Sequence, residues 1–125
     1  MKRSSNRAAL RFGDFELLSS PLRMSKAGVQ VELRNQAKQL LRLLAARTGE
    51  VVTYDVMQRT LWPEQIVDLK SNIYVLIGEI RRALDDDAKD PAYIETVPGR
   101  GYRFVATVRN AVETASNETP GNVSP

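Results

Sequence analysis

Leu69, Ile73, Ile77, Ile80 and Leu84 recur at intervals of four, four, three and four within "DLKSNIYVLIGEIRRALDDD". At about 100° per residue these five side chains share one narrow sector, which predicts an amphipathic helix with a single buried stripe. Leu76 and Ala83 stand on the shoulder of that stripe, and the first two or three residues belong to the helix or to its entry loop. A few residues later, "YIETVPGRGYRFVA" predicts a hairpin, with arms Tyr93–Val97 and Tyr102–Thr107 around Pro98-Gly99-Arg100-Gly101.

The segments upstream narrow the topology. In "FGDFELLSSPLRMSKAGVQVEL", alternation over Phe12–Leu17 and through Val29, Val31 and Leu33 predicts three short antiparallel strands. Breaks fall at Asp14, at Ser19-Ser20-Pro21 and at Ala27-Gly28. A first helix is expected over Asn35–Thr48, with Ala37, Leu40, Leu41, Leu43, Leu44 and Ala45 as its apolar face and Gly49 as its stop. Thr53 is a candidate N-cap for a short second helix, and Asp55 suits its first turn, where the helix dipole favours negative charge. Val56, Met57, Thr60 and Leu61 form the buried side of that helix, and Pro63 ends it.

Three strands, three helices and a hairpin make an α+β chain. Two helices joined by a turn, the second followed by a β-hairpin, is the layout of a winged helix-turn-helix. The expected fold is therefore a small N-terminal antiparallel sheet, three helices and a C-terminal β-hairpin wing. Expected boundaries are a flexible basic arm over 1–9, the folded domain over 10–109, and a disordered tail or linker over 110–125, where bulky apolar residues are few.

Composition bounds the function. A chain of 125 residues has room for one domain with one modest core. It contains neither cysteine nor histidine, which removes the usual metal ligands and the Cys–His nucleophile–base pairs. Neither an enzyme nor a cofactor is expected. Asp85, Asp86 and Asp87 cannot easily converge three consecutive carboxylates on a metal, so a solvated helix end is the expected reading. No apolar run approaches the roughly 18–20 residues that span a bilayer, and the basic N-terminus lacks the apolar stretch of a secretory signal. A cytoplasmic location without membrane contact is expected. The net charge of +3 suits an anionic partner. Lys2, Arg3, Arg7 and Arg11 precede any acidic residue, as a minor-groove arm or a solubilising tail would.

The phrases "FGDFEL", "GEVVTYDVMQRTLWP", "VDLKSNIYVLIGEIRRALDDDAKDP" and "YIETVPGRGYRFVA" resemble the OmpR/PhoB-type winged helix domain of bacterial transcriptional regulators. The likeness is strongest to the branch at the N-terminus of one-component ToxR/CadC-like regulators, and it runs from about Leu10 to Val108. It implies double-stranded DNA as partner, with the third helix in the major groove and the wing in the adjacent minor groove. It also implies that the turn between the second and third helices faces RNA polymerase, and that copies bind direct repeats as head-to-tail pairs. Relatives of this kind serve in phosphorelay signalling, but no receiver domain occurs within these residues. The chain is then either a fragment of a longer regulator or a regulator that acts alone, and the tail after Val108, which resembles the start of a linker, favours the fragment.

Mapped onto this chain, the candidate DNA-binding residues are Lys70, Ser71, Tyr74, Val75, Gly78, Arg81, Arg82, Thr96, Arg100 and Arg103. With the stripe centred on Ile73 turned inward, Ser71, Val75, Gly78 and Arg82 point most nearly outward. Tyr74 and Arg81 flank them on one side and Glu79 on the other. Ser71, Tyr74, Arg81 and Arg82 supply donors for bases or phosphates, and Val75 suits a thymine methyl. Arg100 at the wing tip suits a narrow minor groove, and Arg103 a phosphate beside the stem. Competing readings are an arginine that merely decorates a turn, plain solvation of Lys70 and Ser71, and packing for Trp62.

Three positions depart from the family pattern. Relatives usually carry basic residues at the positions of Gly78 and Glu79, relatives commonly place an aromatic at Lys38, and Pro98 stands where many have a wing-tip arginine. Lys38 is expected to cover apolar surface with its stem while its amine reaches water. The weakly charged face around Val75, Gly78 and Glu79 motivates a second reading, a protein-interaction or dimerisation module on the same scaffold.

Overall fold

The computed structural model describes residues 7–113, with side chains described from 9 to 110. Its elements are β1 (Arg7–Phe12), β2 (Phe15–Ser19), β3 (Leu22–Lys26), β4 (Val29–Gln30), α1 (Asn35–Ala46), β5 (Val51–Thr53), α2 (Tyr54–Leu61), α3 (Leu69–Leu84), β6 (Ile94–Val97), β7 (Gly101–Phe104) and β8 (Arg109–Glu113). This is the expected winged helix-turn-helix, with additions in both sheets.

The first sheet has the order β4-β3-β2-β1-β8, every neighbour antiparallel. Four strands precede α1 where three were expected, because Val29–Gln30 folds back on Ser25–Lys26 through the tight Ala27-Gly28 turn. A fifth strand arrives from the far end of the chain. β8 pairs with β1 from Arg7↔Glu113 to Arg11↔Arg109. The ladder thus takes in Arg7–Ala9 and Asn110–Glu113, positions expected to be arm and tail. Main-chain pairing between segments so distant in sequence leaves no local compositional mark. The other residues of arm and tail, 1–6 and 114–125, lie outside the described residues.

The second sheet carries the wing, in the order β5-β7-β6. β5 was not anticipated: Val51–Thr53, of which only Thr53 had been singled out, as an N-cap, pairs antiparallel with Gly101–Arg103. Gly101 makes this possible, since a Cβ there would collide with the Val52 carbonyl oxygen. At the tip, Arg100 N–H donates to the Val97 carbonyl at 3.0 Å and closes a turn with Pro98 second and Gly99 (φ 75°) third. Proline pre-sets the first bend and glycine accepts the positive φ of the second, as a type II turn requires.

The helices follow their sequence signals closely, except that Thr60, expected on the buried side of α2, is exposed and its hydroxyl donates to the Val56 carbonyl. α1 stops at Ala46 rather than Thr48, where Arg47 leaves helical geometry, and it buries Ala37, Leu40, Leu41, Leu44 and Ala45. Thr53 caps α2 as expected, its hydroxyl accepting from Val56 N–H. α3 buries Ile73, Leu76, Ile77, Ile80 and Leu84. It ends with Asp85 in the left-handed region (φ 57°), Asp85 N–H donating to Arg82 O and Asp86 N–H to Arg81 O, which together form a Schellman closure.

These faces meet in one core with a seam of aromatic rings. Phe12 of β1 packs edge-on against Phe104 of β7, centroids 5.1 Å apart, and Phe15 and Tyr93 complete the cluster. Trp62 is buried at the end of α2, the packing role weighed for it. The Lys38 amine does not reach for water; it donates to the Leu22 carbonyl at 3.1 Å and ties α1 to β3. Among the described residues no helix is long and apolar enough to cross a membrane.

Candidate nucleic-acid interface

α3 presents its outward line as the stripe requires. Ser71, Val75 and Arg82 are exposed, Gly78 is half-exposed, and Tyr74 beside them is 72% exposed. The opposite side is closed: Ile73 and Ile80 are fully buried. Helical periodicity alone therefore separates an exposed face from an anchoring face.

The wing docks beside this line through its base. Tyr54 N–H, an amide that the first turn of α2 leaves without a helical partner, donates to the Arg100 carbonyl at 3.3 Å. The rings of Tyr54 and Tyr102 meet edge-on with centroids 6.2 Å apart, and the Lys70 amine lies 5.5 Å from the Tyr54 ring. Tyr54, Lys70, Ser71, Tyr74, Val75 and Tyr102 line one open groove between α3 and the base of the wing. Burial, followed by the neighbouring Tyr54, raises the pKa of the Tyr102 phenol above its ordinary value. The groove floor is thus neutral and aromatic.

Two of the predicted residues are joined to each other instead of being left open. Arg81 donates through Nη2 to the Ile94 carbonyl at 2.8 Å and to Thr96 Oγ1 at 3.1 Å. Its guanidinium lies 6.0 Å from the Tyr102 ring, and its Nε is buried without a partner. Arg81 and Thr96 bind the wing to α3. Helical angle places Arg81 beside the outward line, and that flank is where the wing docks.

Arg103 also departs from the expectation. Its Nε donates to Glu95 Oε1 at 2.7 Å. Strand alternation sets both on the face of the wing sheet opposite Thr96 and Tyr102, so Arg103 does not share the groove.

Glu79 has a partner that the sequence did not reveal. Arg34, just before α1, grips its carboxylate with both nitrogens of a fork, Nε to Oε1 at 2.9 Å and Nη2 to Oε2. The hydrogen bond to Arg34 holds the Glu79 carboxyl below the usual carboxylate range, and the same contact raises the Arg34 guanidinium. The signal available was the carboxylate itself, isolated among cations on a helix flank.

Asp86 corrects the solvated-end reading. Its carboxylate accepts from the backbone N–H groups of Ala92 (2.7 Å), Tyr93 (3.2 Å) and Ile94 (2.9 Å), pinning the start of the wing to the end of α3. Among the described residues, Lys70, Arg82 and Arg100 make no ion pair, whereas Arg34, Arg59 and Arg103 do. Those three unpaired cations lie at the two ends of the α3 line and at the wing tip.

Residues 28–104 match the family model described as transcriptional regulatory protein, C terminal. The chain belongs to this family. Within the family it is 32% identical over 90 residues to the cholera toxin transcriptional activator of Vibrio cholerae, covering 71% of this chain and 31% of that protein. It is 33% identical over 100 residues to the transcriptional activator CadC of Escherichia coli, covering 79% of this chain and 19% of that one. The chain therefore spans about a third or less of either relative. Among solved structures, the DNA-binding domain of E. coli CadC superposes with a TM-score of 0.68 at 32% identity, covering 81% of this chain and 94% of that one. The Klebsiella pneumoniae RstA DNA-binding domain, solved in complex with the RstA box, gives 0.68 at 24% identity, over 78% and 96% of the two chains. That second likeness carries the fold alone.

Proposed function

We propose that this chain is the DNA-binding domain of a bacterial transcriptional regulator, setting α3 in the major groove of a duplex and the wing in the adjacent minor groove. One observation carries the reading: Lys70, Ser71, Tyr74 and Val75 of α3 line one open groove with Tyr102 of the wing, and the Arg100 turn adjoins it through the Tyr54 amide. A major groove about 12 Å wide admits a helix, and a turn tip with one arginine suits the narrow groove beside it. Lys70 and Ser71 at the start of α3 and Arg82 near its end anchor phosphates, while Tyr74, Val75 and Gly78 face the bases. The relationship to a DNA-binding domain at 32% identity supports the assignment.

Finer parts of the reading belong with it. The α2–α3 connection carries a fully exposed Ile66, a suitable contact for RNA polymerase. Head-to-tail pairing on repeated half-sites, work in the cytoplasm and the absence of catalysis complete the proposal.

Selection of bound duplexes from a random pool tests it. A recurring half-site is expected, with affinity falling steeply as salt rises and falling further in Arg82→Ala and Arg100→Ala. The second reading, a protein-interaction module, draws on the exposure of Tyr74 and Val75. It gains if no duplex is enriched by a folded sample and self-association instead depends on those two residues.

A further inference from the structure

A helix in the major groove distinguishes base pairs in few ways: arginine or lysine to guanine, asparagine or glutamine to adenine, a carboxylate to cytosine, or apolar contact with the thymine methyl. Most of these are closed along the middle of α3. Arg81 is committed to Ile94 and Thr96 on the wing. Glu79 is held by Arg34, so its carboxylate is not open to a cytosine amino group. Asn72 returns its amide to the helix backbone, Nδ2 donating to the Asp68 carbonyl at 2.8 Å.

Apart from the Tyr74 hydroxyl, what remains at the centre is apolar. Val75 is 50% exposed, with Tyr74 next to it. Gly78 lies one turn further along the same line, and a Cβ built there meets nothing within 4 Å. A helix with no side chain at that point can lie deeper in a groove, which lets the Val75 methyls reach base edges. Thymine's C5-methyl is the apolar group a base offers in the major groove.

We propose that α3 of this chain reads thymine methyls through Val75, with Gly78 as the gap that admits the backbone, so that sequence preference at the centre of the site is set by apolar contact. This rests on the DNA-binding reading above. Arg82 and Lys70, at the two ends of the line, then supply position and affinity, not base identity.

The test replaces thymine by deoxyuridine, one position at a time, in a duplex selected by the full chain. Deoxyuridine keeps every hydrogen-bonding edge and removes only the methyl. Burial of one such group corresponds to about fourfold in affinity. A loss of about that size is expected at one or two positions and none elsewhere. In Val75→Ala the affinity for the thymine duplex falls by a similar factor and the deoxyuridine penalty at those positions disappears. Selective, salt-sensitive binding that ignores every deoxyuridine substitution would overturn this proposal while leaving the DNA-binding reading intact. So would a penalty that persists unchanged in Val75→Ala. Failure to bind any duplex would overturn both.

Discussion

Arg34 and Glu79 stand 45 residues apart in sequence, yet the guanidinium of one holds both carboxylate oxygens of the other. The pair joins the entrance of α1 to the flank of α3 and removes an unheld negative charge from beside the candidate DNA groove. Because Glu79 titrates below its ordinary value when folded, its contribution is complete above the unfolded carboxylate range and is lost as pH falls through the lower, folded value. Unfolding in denaturant across the acid range should show this limb in the native chain and a flatter one in Glu79→Gln. Both partners are partly exposed, so the difference should shrink in high salt.

Two neighbouring aspartates should respond in opposite directions. Asp85 occupies a left-handed position at a helix C-terminus, where its Cβ and its negative charge are both unfavourable. Asp85→Gly is expected to stabilise the fold by about 1 kcal/mol, raising Tm by roughly 4–8 °C. Asp86 serves three wing amides, and Asp86→Ala leaves them without it, which should cost about 2–3 kcal/mol. Thermal denaturation of the two variants side by side decides the matter; equal effects would contradict the assigned roles.

Gly78 offers a separation of stability from binding. Space around its Cβ position is open, so Gly78→Ala should stabilise α3 by up to about 1 kcal/mol. If the helix backbone approaches a duplex there, the same methyl should lower affinity. Chemical denaturation and a binding titration on one sample read the two effects, and a gain in both would show that no close approach occurs.

Arginines on and near α3 should divide by salt dependence. Arg82→Ala removes a candidate phosphate contact and Arg100→Ala a candidate minor-groove cation, and each should reduce the slope of log affinity against log salt by about 0.9. Arg81→Met removes a tether between α3 and the wing, costing about 1–2 kcal/mol of stability. Its affinity should fall with the slope unchanged. A reduced slope in Arg81→Met would place that guanidinium on DNA after all.

The readable parts of this molecule were those whose cause is local. Leu69 to Leu84 fix the buried side of α3 through spacing alone, Thr53 announces the start of α2, and Pro98-Gly99 specifies the wing turn. β5 and β8 were not readable as strands, because Val51 pairs with Arg103, 52 residues on, and Arg7 with Glu113, 106 residues on. The same holds within the candidate site. The outward line Ser71, Val75, Gly78 and Arg82 followed from helical angle, whereas the partners of Arg81, Glu79, Arg103 and Asp86 depend on how helices and wing dock. Charge counted along the sequence therefore overstated the cations that face the groove.

Arg7 lies opposite Glu113 at one end of the β1–β8 ladder, so the described chain nearly closes on itself, its two ends about one strand spacing apart. Polypeptide attached on either side would enter and leave at a single point, and the domain would hang from that strand pair like a bead on a loop. Tension between the two ends would peel β1 from β8 one residue pair at a time, opening the hem of the sheet before any load reached α3 or the wing.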